Sequence, residues 1–158
     1  MTSQRFEMGP GADEAVMALQ RFVDRSSLPR PLLELVRMRA SQLNGCAYCL
    51  DMHSKDALAV GVPAEKLYVL EAWREAPFYD GRERAALEWA EAVTLVADGH
   101  VADDVFDAVR PHFSQRELVE LTMAIITINA WNRVAISTRM EPGHDQSQLA
   151  PKVEAGAR

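Results

Sequence analysis

At 158 residues, with 48% hydrophobic and 25% charged residues, the chain has the length and balance of a globular protein with one buried core. Its net charge of -6 and the scatter of its 17 Lys and Arg exclude the clustered basic stripe of a nucleic-acid binder. No apolar run reaches the ~18–20 residues of a membrane span. The opening MTSQRFEMGPGADEA has no basic segment followed by an apolar one, so no secretory signal is expected. A reducing cytoplasm is the expected setting, where a lasting structural disulfide is unusual.

Helical punctuation recurs along the chain and strand signals are nearly absent. In ADEAVMALQRFVD, Val16, Leu19, Phe22 and Val23 fall at helical spacing. Ser27, Pro29 and Pro31 suit the start of a second helix, which runs to about Leu43 before Asn44–Gly45 breaks it. A third helix begins at Cys46 and ends near Gly61, and Pro63 opens a shorter one through Leu67 and Leu70. Asp80 with Glu83, and Ser114 with Glu117, have the spacing of capping boxes and start two more helices. Between them ADDVFDAVRPHF reads as a short helix. The last helix is apolar on most sides around MAIITINAW, which suits the centre of the core or an oligomer interface. Met17, Met38, Met52 and Met123 are expected to fill core. The polar ends, rich in Pro and Gly, are expected to be loose, with an ordered body of about 12–139 in a single domain spanning 1–158. The fold expected is all-α, with six or seven helices.

The chain's two cysteines, Cys46 and Cys49, sit three apart, and His53 follows four residues later. At about 100° per residue, His53 projects between the directions of the two thiols, on the side shared by Leu50, Ala57 and Val60. The three reactive groups therefore face the core, in a recess reached by a pocket. A thiol of pKa about 8.5 is mostly protonated at neutral pH, but the first turn of a helix favours the thiolate. A histidine one turn on can take the proton. A thiolate can be oxidised by a peroxide to a sulfenic acid, which a neighbouring thiol converts to a disulfide. Zinc needs four ligands, and His100, His112 and His144 lie far from this cluster, so no metal is expected. A thioredoxin-type fold needs a βαβ context that is missing. Two buried cysteines acting as small hydrophobes remain the plain alternative.

The segment from Glu34 through Cys46 and Cys49 to His53 resembles the core signature of the alkylhydroperoxidase D (AhpD)-like family, within the carboxymuconolactone decarboxylase superfamily. Glu34 precedes the Cys-x-x-Cys pair by twelve residues, and all four positions match. WNRVAIS in the last helix is similar to the family's Asn-Arg segment, and the resemblance spans roughly Leu28 to Ser137. It implies an AhpD-like helical bundle with the cysteines at the N-terminus of a core helix. It further implies Cys49 as the peroxidatic thiol and Cys46 as the resolving one, with His53 and Glu34 as a proton relay. Relatives bind no cofactor for this cycle and draw on an external dithiol reductant, such as a dihydrolipoyl group carried by a donor protein. They act on small peroxides and assemble as homo-oligomers, trimers or hexamers.

Glu34 would not stand out otherwise. Leu32, Leu35, Val36 and Leu43 form its helix's apolar stripe, and Glu34 lies roughly opposite, beside Arg37 and Ser41, where a solvated surface glutamate is expected. Tyr48 stands between the cysteines where some relatives have histidine, and is read as wall or surface. Asn132 and Arg133 are expected to satisfy other buried polar groups or to cross an interface. Two further functions stay open: a carboxymuconolactone decarboxylase-type lyase, which needs no dithiol, and a non-catalytic redox-sensing oligomer.

Overall fold

A computed structural model describes residues 4–144 and 147. They form seven α-helices: α1 Pro10–Asp24, α2 Arg30–Asn44, α3 Ala47–Ala59, α4 Ala64–Tyr68, α5 Gly81–Thr94, α6 Asp103–Val109 and α7 Gln115–Thr138. Three short 3-10 turns follow α4, α5 and α6, at Leu70–Ala72, Val96–Asp98 and Arg110–His112. No strand occurs among the described residues.

Both expected capping boxes form. The Asp80 carboxylate accepts from Glu83 N–H at 2.8 Å while Glu83 accepts from Asp80 N–H at 2.9 Å, and Ser114 and Glu117 exchange the equivalent pair at 3.2 and 2.9 Å. Each box satisfies two amide donors that a helix start leaves without partners.

The centre of the bundle is α2. Every residue from Leu32 to Ser41 is buried, because α3, α5 and α7 all pack against this helix. Leu33 and Val36 join Trp89, Leu121 and Ile125 in one apolar cluster. Leu35 and Met38 join Leu70, Trp73 and Leu87 in a second. Ala40 meets Cys46, Cys49, Ile128 and Ala135 in a third. Three neighbours cover three sides, so the polar side of α2 is as dry as its apolar stripe. The surface position expected for Glu34 is thereby overturned.

The longest helix, α7, keeps one side open: Val119, Ile126 and Ile136 are exposed. Helix α1 is seated through Val23, its only fully buried residue, and Met17 and Phe22 face outward, against the expectation that Met17 fills core. Met38 is buried, and Met52 and Met123 are half-buried.

Candidate active site

The corner between α2 and α3 takes two residues, Gly45 and Cys46. Gly45 ends α2 in the left-handed region, with φ 67°, which costs an L side chain energy but not glycine. The Gly45 and Cys46 N–H groups close on the carbonyls of Gln42 and Ser41 at 3.1 and 3.0 Å. Cys46 is then the N-cap of α3, and its sulfur accepts the Cys49 N–H at 3.3 Å. The sulfur thus does what a serine or aspartate oxygen does at other helix starts. Cys46 and Cys49 are paired as a disulfide, with Cα atoms 5.4 Å apart. Both are 1% exposed, so the sulfurs are recessed as the helical geometry predicts. Half-buried Tyr48, Trp131 and Met140 pack over their cluster, which places Tyr48 in the wall.

A buried charged group joins α2 to α3. Glu34 is 0% exposed; its Oε2 meets Nδ1 of His53 at 2.9 Å, and its Oε1 accepts from Nη1 of Arg37 at 2.5 Å. Burial is the largest influence on the Glu34 carboxyl and opposes ionisation. The hydrogen bond from His53 and the charge and hydrogen bond of Arg37 together outweigh it, so the carboxyl is held below its ordinary range. An ionised Glu34 is an acceptor only, which fixes a hydrogen on Nδ1 and leaves Nε2 as the nitrogen that can trade a proton with a thiol. The second nitrogen of the Arg37 guanidinium, Nη2, is buried without a hydrogen-bond partner.

The structure pairs Cys46 with Cys49 and Glu34 with His53, and adds Arg37 and Asp56 to the second pair. A carboxylate oxygen of Asp56, one of Glu34 and a ring nitrogen of His53 lie within 4.8 Å of one another. The donor set suits a metal ion poorly, since both Glu34 oxygens are engaged and a dication would sit against the Arg37 guanidinium. Sequence reasoning passed over Asp56, although it follows His53 by three residues and Cys49 by seven and so shares their side of the helix. Asn132 is 0% exposed, donating to Ser41 Oγ at 3.0 Å and accepting from Asn44 at 2.8 Å, which ties α7 to the end of α2. Arg133 is exposed and bonds Asn129 on its own helix, so only Asn132 meets the expectation of a buried polar partner.

Beyond α7, Arg139 takes the left-handed region with φ 60°, and two later residues meet α3. Gly143 N–H donates to the Asp51 carboxylate at 2.9 Å, and Ser147 Oγ donates to Asp56 Oδ1 at 2.6 Å. Two surface cavities, of about 760 and 500 Å³, lie elsewhere. One runs between α1 and the start of α7, beside Phe22 and Glu120; the other lies between α5 and α6, beside Glu88 and Asp104. Neither is the pocket expected at the cysteines.

An all-helical bundle with a Cys-x-x-Cys pair at the head of α3 and a buried Glu–His pair between α2 and α3 is an AhpD-like arrangement. Residues 10–92 match the model of the Carboxymuconolactone decarboxylase family, and the chain belongs to that family. It is 39% identical over 132 residues to the uncharacterized protein YdfG of Bacillus subtilis (strain 168), covering 84% of this chain and 90% of that one. It superposes on the crystal structure of an Agrobacterium tumefaciens protein of unknown function, provisionally assigned as the antioxidant defence protein AhpD. The TM-score is 0.86 and the identity 40%, over 90% of this chain and 100% of the other. The debrominase Bmp8 shares the fold at TM-score 0.76 and 24% identity, over 85% of this chain and 73% of that one. Among the described residues no helix is long and apolar enough to cross a membrane.

Proposed function

We propose that the protein is a thiol-dependent peroxidase that reduces organic or hydrogen peroxides through a Cys46/Cys49 dithiol–disulfide cycle. The observation that carries this reading is the cysteine pair at the start of α3 together with the buried Glu34–His53 pair that joins α2 to the same helix. His53 takes the Cys49 proton at Nε2, and Glu34 holds the ring by Nδ1 and stabilises the imidazolium that results. The thiolate attacks one peroxide oxygen and the O–O bond breaks. Cys49 becomes a sulfenic acid, and the departing alkoxide takes a proton to leave as an alcohol. The Cys46 thiol then displaces the hydroxyl of the sulfenic acid, forming the disulfide and releasing water. An external dithiol, of the dihydrolipoyl kind, returns two electrons and two protons.

The exposed apolar residues of α7 and α1 support a homo-oligomer, a trimer or hexamer, as the working form. Cytoplasmic location fits a cycle that must be re-reduced.

One equivalent of an organic peroxide added to the reduced protein, followed by mass spectrometry, is expected to give a stoichiometric Cys46–Cys49 disulfide. With a dithiol donor, Cys49→Ser and Cys46→Ser should each abolish turnover, and Cys46→Ser should accumulate a sulfenic acid on Cys49. Full peroxide consumption by both variants overturns the reading. Because the family is named for a lactone decarboxylase, the double variant should also be assayed for that reaction; undiminished decarboxylation would favour the lyase.

A further inference from the structure

We propose that Asp56 is a positioning residue of the thiol site, supplying the second negative charge that keeps His53 in its imidazolium form beside the Cys49 thiolate. The proposal rests on the reading above only in taking Cys49 as the nucleophile.

The argument begins with a charge count. Glu34 contributes one negative charge and Arg37 one positive, and the two are in contact at 2.5 Å. On their own they cancel, and a neutral imidazole would then suffice. Asp56 breaks the balance, because its carboxylate is the third member of the trio within 4.8 Å of both Glu34 and His53. With two carboxylates and one guanidinium, the group is neutral only when His53 carries a proton. The proton that leaves the Cys49 sulfur therefore gains a favourable place on the imidazole, and the sulfur keeps the electron pair as thiolate.

Among the described residues, the other elements around His53 supply nothing that cancels Asp56. On α2 the facing charges are Glu34 and Arg37 alone, since Arg39 pairs with Glu91 at 2.7 Å. On α3, Asp51 and Lys55 bond each other at 2.7 Å. The polar group that α7 brings to this layer is the uncharged Asn132, bound to Ser41 and Asn44, while Arg133 is exposed. Glu141 and His144, in the segment that follows α7, are exposed and 4.0 Å from each other. Ser147 anchors Asp56 as a donor at 2.6 Å, which fixes the carboxylate without altering the sum.

The position of Asp56 fits the same role. His53 follows Cys49 by four residues and Asp56 follows His53 by three, so sulfur, imidazole and carboxylate stack along one side of α3. An opposite charge within about 4–6 Å moves a titration by one to three pH units.

The test reads Cys49 directly and uses no peroxide. The reduced full-length chain is alkylated with iodoacetamide across a pH series, and the Cys49 peptide is quantified by mass spectrometry. Asp56→Asn, whose amide oxygen still accepts from Ser147, is expected to move the midpoint of Cys49 alkylation up by about one pH unit. That shift is about a tenfold slower reaction on the acid side of the profile. Asp56→Glu restores the charge and should keep the wild-type midpoint. Ser147→Ala, which removes the anchor and keeps the charge, should also keep it. An unmoved midpoint in Asp56→Asn overturns the proposal, and so does an equal shift in Ser147→Ala. If the wild type consumes no peroxide while Asp56→Asn still moves the midpoint, the peroxidase reading falls and this one stands.

Discussion

Two buried glutamates, Glu34 on α2 and Glu120 near the start of α7, differ in what surrounds them. Glu120 accepts from the Ser27 amide at 2.9 Å, the Ser27 hydroxyl at 2.7 Å, the Ser26 hydroxyl at 3.2 Å and Arg116 Nε at 2.9 Å. The Ser27 and Arg116 hydrogen bonds outweigh the cost of burial and lower its carboxyl to about 2. Three of those four donors are neutral dipoles of the α1–α2 loop, and the fourth is an arginine that does not titrate in the working range. Glu34 has no backbone donor. Its partners are an arginine and a histidine, and the histidine can gain and lose a proton. A carboxylate held by fixed dipoles ties one part of the chain to another, whereas one held by a titratable ring can take part in proton movement.

The most severe way to break the comparison is Glu34→Gln. Both partners of Glu34 donate, so an amide in that place turns its NH2 towards a donor whichever way it is oriented. It also leaves Arg37 buried without a counter-charge. Steady-state assays with a dithiol donor should show kcat/KM lower by about 100-fold or more, the range for loss of general acid–base assistance. Denaturant unfolding should show a loss of about 3 kcal/mol. A variant that keeps the wild-type rate would remove Glu34 from the relay.

Glu120→Ala should give the opposite pattern. Loss of a carboxylate that collects several hydrogen bonds is expected to cost about 2–3 kcal/mol in a urea titration, with kcat unchanged. The two sites also differ in the origin of their acid sensitivity. The folded-state value of Glu120 lies below its ordinary value of 4.5, so its contribution is complete above about pH 4.5 and is lost as pH falls towards about 2. Glu120→Gln should therefore flatten the loss of stability between those pH values, read from melting temperatures in a pH series. A curve as steep as that of the wild type would place the acid sensitivity elsewhere.

The sequence was most legible where local chemistry decides. The Asp80 and Ser114 capping boxes, the stop at Asn44–Gly45 and the burial of Cys46, Cys49 and His53 all follow from spacing within one or two turns. Glu34 was not legible this way. A helical wheel gives a residue's direction but not what lies there, and α2 has neighbours on the side that looks like surface. Only the resemblance to a family pattern marked it. The spacing of Asp56 put it on the side of His53, but its approach to Glu34, which comes from another helix, left no mark in the sequence. Glu120 gave no signal either, since its donors Ser26 and Ser27 lie 94 and 93 residues away. The apolar spacing of α1 overstated its burial, because an amphipathic stripe does not reveal how much of its length finds a partner.

The finest probe of the contrast is Ser27→Ala. It removes the hydroxyl at 2.7 Å and keeps the Ser27 amide, the Ser26 hydroxyl and Arg116 as donors. One hydrogen bond to a carboxylate that stays ionised and bound should cost about 1 kcal/mol, visible as a lower urea midpoint at unchanged slope. Because the donors around Glu120 act as separate fixed dipoles, removing one should leave the others in place and the rate of the proposed thiol cycle untouched. A single hydrogen bond lost beside His53 would instead alter where the proton rests. A fall in kcat for Ser27→Ala beyond its stability cost would mean that the α1–α2 loop, through the start of α2, positions Glu34. The two carboxylates would then be ends of one coupled system rather than an anchor and a relay.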